Sequence, residues 1–318
     1  MVVCIAAGVA TVLATSLWVL VAARFAEGLS GSAGMVLGRA VIADLVTGVA
    51  AARAMSLMMI VGGVAPVVGP TLGGVLVGPI GWRGVLDVVL ALTVLMLVLV
   101  LSYVPETLPA ERREAERLAG VGGPSTTSEL LSPTFVLPTL AFAAAFAVMM
   151  AYISASPFLY QERMGLSEAA YGAAFGVIAL GLVLTSALSA RLVLRVAAAR
   201  LAGVGITVVL AACLLLLVLV LAGVPAGWYA APILLAVAPL GLVMGNGTAL
   251  ALAAVPRARG AASAVLGAAQ FGLGGLMSVL AGLGDGTLPQ ALVMTACAVV
   301  AAASFALARR VARVGAGR

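Results

Sequence analysis

Residues Gly62–Gly74 read GGVAPVVGPTLGG, which places two prolines and five glycines inside an otherwise apolar segment. Proline removes a backbone N–H donor and kinks a helix, whereas glycine lets a neighbouring backbone approach closely. A segment of this kind is typical of a kinked helix that packs tightly against other helices inside a lipid bilayer. It therefore predicts an all-α membrane protein, a prediction that the rest of the chain can support or oppose.

The composition supports a membrane environment. The chain has 318 residues, of which 64% are hydrophobic and only 9% are charged, whereas soluble domains carry about 25% charged residues. Histidine is absent and all 17 basic residues are arginine, so the chain has no P-loop lysine, no Ser-His-Asp triad and no His-ligated metal. The cysteines Cys4, Cys213 and Cys297 match no metal or redox spacing. We therefore expect neither an enzyme nor an ATP-driven pump, and no cofactor or metal.

A helix that spans a bilayer needs about 20 apolar residues, and charges mark its ends. By this criterion the chain is predicted to cross the membrane about ten times, four times before the polar segment Pro105–Pro133 and six times after it. The predicted spans are Val2–Thr15, Leu17–Leu45, Ala54–Gly78, Gly84–Tyr103, Phe135–Tyr160, Ala169–Ala190, Ala202–Ala222, Trp228–Ala254, Gly260–Leu283 and Leu288–Leu307. A short surface helix is also predicted within the polar segment, at Glu111–Leu118.

The arginines predict the orientation, because short cytoplasmic loops are enriched in basic residues. With the long polar segment in the cytoplasm, the outer side carries only Arg83 and Arg163. Thirteen arginines then lie on the cytoplasmic side: Arg53, Arg112, Arg113, Arg117, Arg191, Arg195, Arg200, Arg257, Arg259, Arg309, Arg310, Arg313 and Arg318. We therefore expect a multi-pass protein of the cytoplasmic membrane with a cytoplasmic C-terminus. The arginines form no aromatic-basic surface, so no nucleic-acid partner is expected.

The segment Gly62–Gly74 resembles the antiporter motif of drug/proton antiporters in the major facilitator superfamily. In that fold the motif lies on the fifth helix. The matching positions are Gly62, Gly63, Pro66, Gly69, Pro70, Gly73 and Gly74. The preceding segment Leu20–Gly34 resembles the fourth-helix motif, with Arg24 at the arginine position. Trp82–Arg83 resembles the start of the sixth helix, and Pro239–Gly275 resembles helices ten and eleven of the bicyclomycin/chloramphenicol-resistance-like multidrug efflux subfamily. The resemblance implies a two-bundle fold whose antiporter-motif helix serves as a sealing pivot.

The same resemblance predicts the domain organisation. Counterparts of helices three to twelve are present, so we expect that the chain is truncated and lacks helices one and two. The implied domains are an incomplete N-terminal bundle (1–103), a cytoplasmic central loop (104–134), a six-helix C-terminal bundle (135–308) and a cytoplasmic tail (309–318). Glu27 stands where the family usually has glutamine, and Gly245 where it commonly has proline.

The intramembrane charges are candidates for proton coupling. Arg24 lies about six residues, or ~9 Å, inside its span, where a charge is costly unless it is paired or faces water. Glu27 follows at i+3, so the two side chains can meet on one helix face. Arg24 then tunes the protonation of a carboxylate in the cavity; the alternative is a neutralised pair that only orients two helices. Arg39 and Asp44, near the cytoplasmic interface, are either a gate or a solvated ion pair.

Three further side chains are cavity candidates. Asn246 and Gln270 are neutral polar residues in apolar spans, where they either line a cavity or form hydrogen bonds between helices. Tyr152, in the predicted fifth span, is the aromatic candidate.

The predicted function is proton-coupled efflux of small amphipathic compounds by alternating access, with antibiotic resistance as its phenotype. The expected partners are a small-molecule substrate, protons and the lipid bilayer, with a monomer favoured. One alternative is a truncated, non-transporting fragment or helix-assembly partner. A channel or receptor is the other, although the sequence shows no filter-like loop or ligand domain.

Overall fold

The computed structural model describes residues 1–45, 48–104, 124–255, 259–283 and 286–316; it describes only the backbone of residues 32–33, 35–37, 39–40, 42–45, 48–68, 70–71, 124–126, 259–260 and 314–316. These ranges are almost entirely helical and contain no β-strand. The helices are α1 (Val2–Val12), α2 (Leu17–Leu45), α3 (Gly48–Tyr103), α4 (Pro124–Leu130), α5 (Pro133–Pro157), α6 (Glu168–Leu192), α7 (Ala198–Leu221), α8 (Ala230–Val237), α9 (Leu240–Ala253), α10 (Arg259–Ala281) and α11 (Leu288–Ala316). The chain forms two compact units, Met1–Val121 and Gly122–Arg318.

In the first unit the helix limits follow the hydropathy pattern closely. Helix α2 has the predicted limits, whereas α1 ends three residues before the predicted Thr15. The third and fourth predicted spans are joined in α3, whose backbone breaks at Gly81 with φ of 67° and ψ of 172°. Glycine tolerates this left-handed φ because it has no Cβ atom. The chain therefore needs only one residue, and no loop, to pass from one helical segment to the next.

Small side chains of α1 form the interior of the first unit. Ala7, Gly8 and Thr11 are buried, and a Cβ atom built on Gly8 would lie 2.9 Å from Cδ1 of Leu90. Arg83 donates from Nη2 to the carbonyl oxygen of Ala14 over 3.3 Å. Helix α1 thus packs against both α2 and the second part of α3.

Helix α5 is the centre of the second unit. Alanines along its middle are almost completely buried, at most 2% exposed: Ala141, Ala143, Ala144, Ala145, Ala147 and Ala151. Because alanine has the smallest apolar side chain, helices α9, α10 and α11 can pack closely around α5. The helix continues as a π-helical turn, Phe158–Arg163, followed by Gly165 at a φ of +69°.

Two serines join α5 to α10 reciprocally. Ser154 Oγ donates to the carbonyl oxygen of Ser278 over 3.0 Å, and Ser278 Oγ donates to that of Met150 over 3.2 Å. One turn away, a Cβ atom built on Gly274 would lie 2.9 Å from Met150 and 3.1 Å from Phe146. The absence of a side chain at Gly274 lets the two backbones approach closely enough for both hydrogen bonds.

The predicted eighth span is discontinuous. It consists of a 3₁₀ turn (Ala226–Tyr229), α8 and α9, with Pro239 at the break. Proline cannot donate to the helical ladder, so the carbonyl group of Leu235, four residues earlier, loses its usual partner. The turn tightens here, and the carbonyl oxygen of Ala238 accepts from the N–H of Gly241 over 3.1 Å. The hydroxyl of Thr185, on α6, donates to the carbonyl oxygen of Ala238 at this break. Helix α6 therefore stabilises the interruption.

Other differences concern the polar segments. Helix α4 and the start of α5 lie inside the segment predicted as the central loop, 104–134. Helix α11 continues through the predicted tail as far as Ala316, because arginine and alanine are good helix formers. The predicted helix at Glu111–Leu118 lies outside the described residues.

Within the described residues, seven helices are long and apolar enough to cross a membrane. They are Leu72–Tyr103, Pro133–Arg163, Glu168–Leu192, Ala198–Leu221, Ala226–Ala253, Ala261–Ala281 and Leu288–Arg313. These seven correspond to the last seven predicted spans, and α1, with 11 residues, is a shorter apolar helix. The predicted all-α, multi-pass fold class is confirmed, while the count of ten spans stays a prediction.

Candidate functional site

Arg24 and Glu27 form an ion pair on α2. Arg24 Nη1 lies 3.1 Å from Glu27 Oε2, and the two side chains are 47% and 15% exposed, respectively. The i, i+3 spacing on one helix face brings them together, as the sequence predicts. The arginine is thus the more open partner, and the carboxylate is the more enclosed one.

Helix α1 supplies a second donor to the same carboxylate. The hydroxyl of Thr11, only 2% exposed, lies 3.4 Å from Glu27 Oε2 and 2.9 Å from the carbonyl oxygen of Ala7. The other carboxylate oxygen faces Gly8, where an added Cβ atom would lie 3.9 Å from Oε1. Glu27 therefore lies against the small-residue face of α1, between a hydroxyl group and a guanidinium group.

Sequence reasoning did not identify Thr11. A signal was present, because Cys4, Ala7, Gly8 and Thr11 recur at three- and four-residue intervals and so share one helix face. That face of small residues is the one against which α2 packs. The thiol of Cys4 reaches the backbone carbonyl oxygen of Glu27 at 3.8 Å.

The glycine-proline segment lies in the first part of α3. Gly69 and Gly73 have no described atom within 4 Å of an added Cβ position, so their backbone surfaces are open within the part of the chain that is described. The side chains of Pro66 and Pro70, like the environments of Gly62 and Gly63, lie outside the described residues, and Gly74 is half-buried. The side chains of the predicted gate pair, Arg39 and Asp44, are also outside them.

In the second unit Asn246 bridges two helices. Its Nδ2 atom donates to Ser189 Oγ on α6 over 2.8 Å and to the carbonyl oxygen of Leu242 over 2.7 Å. Asn246 is 5% exposed and Ser189 is 7% exposed. Both amide hydrogens are therefore bound within the protein, although the carbonyl oxygen of the same side chain remains for other contacts.

The other two cavity candidates occupy different places. Tyr152 is 1% exposed, and its ring stacks on that of Phe175 with centroids 5.7 Å apart. Gln270 is half-buried on α10, next to Phe271, which packs edge-on against Phe146. Asn246, Gln270 and Tyr152 therefore do not form one cluster of polar contacts within the described part of the unit, and their cavity roles stay predictions.

These features define a class: an all-α, multi-pass membrane protein that carries an ion pair on one of its apolar helices, with the carboxylate as the more enclosed partner. A family model described as Major Facilitator Superfamily matches residues 1–282, and the chain belongs to that superfamily of transporters. It is 30% identical over 304 residues to an uncharacterized MFS-type transporter, YdgK, of Bacillus subtilis, covering 92% of this chain and 73% of the relative.

Two further comparisons agree with the family. The chain is 26% identical to a bicyclomycin resistance protein homolog of Haemophilus influenzae, over 89% of this chain and 72% of the relative. A crystal structure of a D-xylose-proton symporter superposes with a TM-score of 0.67 and 14% identity, covering 94% of this chain and 78% of that one. At this identity the superposition shows the fold alone. The predicted major-facilitator-like fold and the predicted relationship to multidrug efflux proteins are confirmed.

Proposed function

We propose that the chain exports small amphipathic compounds in exchange for protons across the cytoplasmic membrane. The observation that carries the proposal is the carboxylate of Glu27, enclosed between Arg24 and Thr11. The similarity to a bicyclomycin resistance protein homolog supports an amphipathic drug as the substrate class. The proposed partners are one such compound, protons and the bilayer, and the proposed unit is a monomer.

The coupling depends on the protonation of Glu27. As a carboxylate it accepts from the guanidinium of Arg24. It also lies 3.4 Å from the hydroxyl of Thr11 on α1, whose single hydrogen can be donated either to Glu27 or to the nearer carbonyl oxygen of Ala7. Protonation removes the charge that holds the guanidinium, which weakens the contact between Arg24 and Glu27. A cationic or hydrogen-bonding substrate and a proton then compete for one site, which is what an exchanger requires.

The glycine-proline segment is the proposed pivot. Among the described residues, no atom lies within 4 Å of a Cβ position built on Gly69 or Gly73, and a glycine backbone of this kind allows close approach of another helix. We propose that this segment seals the substrate path during alternating access, and that residues 1–103 and 135–308 are the two bundles of that transport cycle. Arg39 and Asp44 are the proposed cytoplasmic gate, and Asn246, Gln270 and Tyr152 are proposed cavity residues. The C-terminus is proposed to be cytoplasmic.

Everted membrane vesicles provide the test. We expect uptake of a fluorescent amphipathic cation into vesicles that carry the chain when a proton gradient is imposed, and its loss when an uncoupler is added. Arg24→Ala should abolish the gradient-driven component, whereas Arg191→Ala, which removes an exposed arginine at the end of α6, should retain it. Equal uptake with and without the uncoupler would overturn the proposal and would favour a non-transporting helix-assembly partner.

A further inference from the structure

A cavity of about 210 Å³ lies within the second unit, where the π-helical turn after α5 meets the start of α11. Among the described residues, its polar lining consists of Glu162, Arg163, Thr287 and Gln290. This volume is about seven times the ~30 Å³ share of one water molecule in the liquid. None of these side chains belongs to the Arg24–Glu27 site, so the cavity has no role in the proposed exchange.

The donors at this cavity favour an anion. Arg163 lies over the backbone that leads into α11, since a Cβ atom built on Gly286 would lie 3.2 Å from Arg163 Nη2. Helix α11 has 29 residues, and the first N–H groups of a helix have no partner in the helix and carry partial positive charge. Because Pro289 has no N–H, Leu288 and Gln290 supply these donors in the first turn of α11. A guanidinium group and a helix N-terminus therefore converge on the same space, an arrangement that suits a phosphate group.

Gln290 provides independent evidence for a ligand. Its side chain lines the cavity and is 1% exposed, yet its Nε2 atom has no hydrogen-bond partner among the residues that the structure describes. A buried amide donor without a partner costs about 1–3 kcal/mol. A phosphate oxygen is an acceptor of the kind that this donor lacks.

Glu162 adds a negative charge to the same cavity. Glu162 and Arg163 are consecutive in the chain, and neither forms an ion pair with another described residue. A simple anion would leave the carboxylate of Glu162 without a partner, whereas a ligand that carries both a phosphate and an amine would engage both residues. Phe158, which also lines the cavity, is 56% exposed, so an apolar chain attached to the ligand has a surface to contact.

We propose that this cavity binds a zwitterionic phosphate ester of the phosphoethanolamine type. Arg163, the start of α11 and Gln290 contact the phosphate, and Glu162 contacts the ammonium group. The same chemistry is available from two sources: the headgroup of phosphatidylethanolamine and a soluble phosphoethanolamine.

The test uses the purified full chain in detergent. We expect short-chain phosphatidylethanolamine to raise the thermal unfolding temperature saturably, because a ligand that binds only the folded state stabilises it. Arg163→Gln and Glu162→Gln should each raise the half-saturating concentration about tenfold, as expected for the loss of a hydrogen bond to a charged group. The controls Arg195→Gln and Glu168→Gln change exposed charges outside the cavity and should match the wild type.

Two additional ligands test whether the bound molecule is a lipid or a soluble compound, and whether it must carry an amine. A saturable, Arg163-dependent shift with O-phosphoethanolamine supports a soluble ligand, and a shift with the lipid alone supports a headgroup. Phosphatidylglycerol has the phosphate but no amine, so it should stabilise the protein only weakly. The proposal is overturned if phosphatidylglycerol binds as tightly as phosphatidylethanolamine, or if Arg163→Gln and the wild type have the same half-saturating concentration.

Discussion

At the scale of single residues, polar side chains that cross between helices are the main specific contacts inside each unit. Glu27 contacts both α1 and α2, and Asn246 connects α9 to α6. In lipid such hydrogen bonds contribute modestly, since a polar group in the unfolded state also finds partners. Their effect on the relative position of two helices is therefore larger than their effect on stability.

The Asn246–Ser189 bond can be measured directly. We expect Asn246→Ala and Ser189→Ala each to lower the free energy of unfolding, and the double-mutant cycle to give a coupling energy of about 0.6 kcal/mol, with ~2 kcal/mol as an upper bound. The measurement is reversible unfolding in mixed micelles. Thr207→Ala is the control, because that exposed hydroxyl bonds within its own helix to the carbonyl oxygen of Gly203. A coupling energy of zero would mean that the two side chains do not interact.

The sequence predicted the Arg24–Glu27 pair because both residues lie on one helix, where the i, i+3 spacing alone brings them together. It did not predict that Thr11 and Ser189 would contact the candidate residues. Those contacts depend on which faces of two distant helices meet, and no local spacing encodes that choice. The small-residue face of α1 was the available signal for Thr11, but it identifies a packing surface rather than a partner.

At the scale of helices, glycine positions show where two backbones touch. A Cβ atom built on Gly241, on α9, would meet Thr185 Oγ1 and would lie only 2.6 Å from the carbonyl oxygen of Leu182 on α6. Backbone atoms cannot move aside as a flexible side chain can. Gly245 lies one turn further along α9, and an added Cβ atom there would have no neighbour within 4 Å among the residues that the structure describes.

This contrast gives a matched pair of substitutions. Gly241→Ala should destabilise the protein by about 1–3 kcal/mol through overpacking, whereas Gly245→Ala should be neutral or stabilising by up to ~1 kcal/mol because alanine favours the helix. The unfolding midpoint in detergent measures both variants. If both variants had the same midpoint, α6 and α9 would not be in contact at Gly241.

Hydropathy predicted most helices to within a few residues, and it predicted α2 without error. It did not predict that the eighth span is broken at Pro239, because the sequence around that proline remains apolar on both sides. It also did not predict the π-helical turn Phe158–Arg163, since one inserted residue barely changes an apolar pattern. Backbone geometry of this kind depends on tertiary contacts, such as that between Thr185 and Ala238.

At the scale of the whole molecule, the distribution of arginines predicts the orientation in the membrane. Loops at opposite ends of α6 should be accessible from opposite sides. We expect a membrane-impermeant maleimide to label Glu168→Cys in intact cells, and to label Arg195→Cys only after the membrane is permeabilised. Both positions are exposed, and they lie at opposite ends of the single helix α6.

Little background labelling of the native cysteines is expected, because Cys213 is fully buried and Cys297 is 5% exposed. Cys4 is only partly buried, so both cysteine variants should be made in a chain that also carries Cys4→Ser. The reverse labelling pattern would contradict the predicted orientation. Labelling of both sites in intact cells would contradict the span between them.

The reciprocal hydrogen bonds between Ser154 and Ser278 restrict how the second unit can move. Each hydroxyl donates to backbone on the opposite helix, and Ser278 on α10 thereby contacts two positions one turn apart on α5, the carbonyl group of Met150 and the hydroxyl group of Ser154. A slide of either helix along its axis by a single residue, about 1.5 Å, would displace Ser278 from both positions at once. Helices α5 and α10 should therefore travel as a single rigid body, and any shear within this unit must occur at other helix contacts.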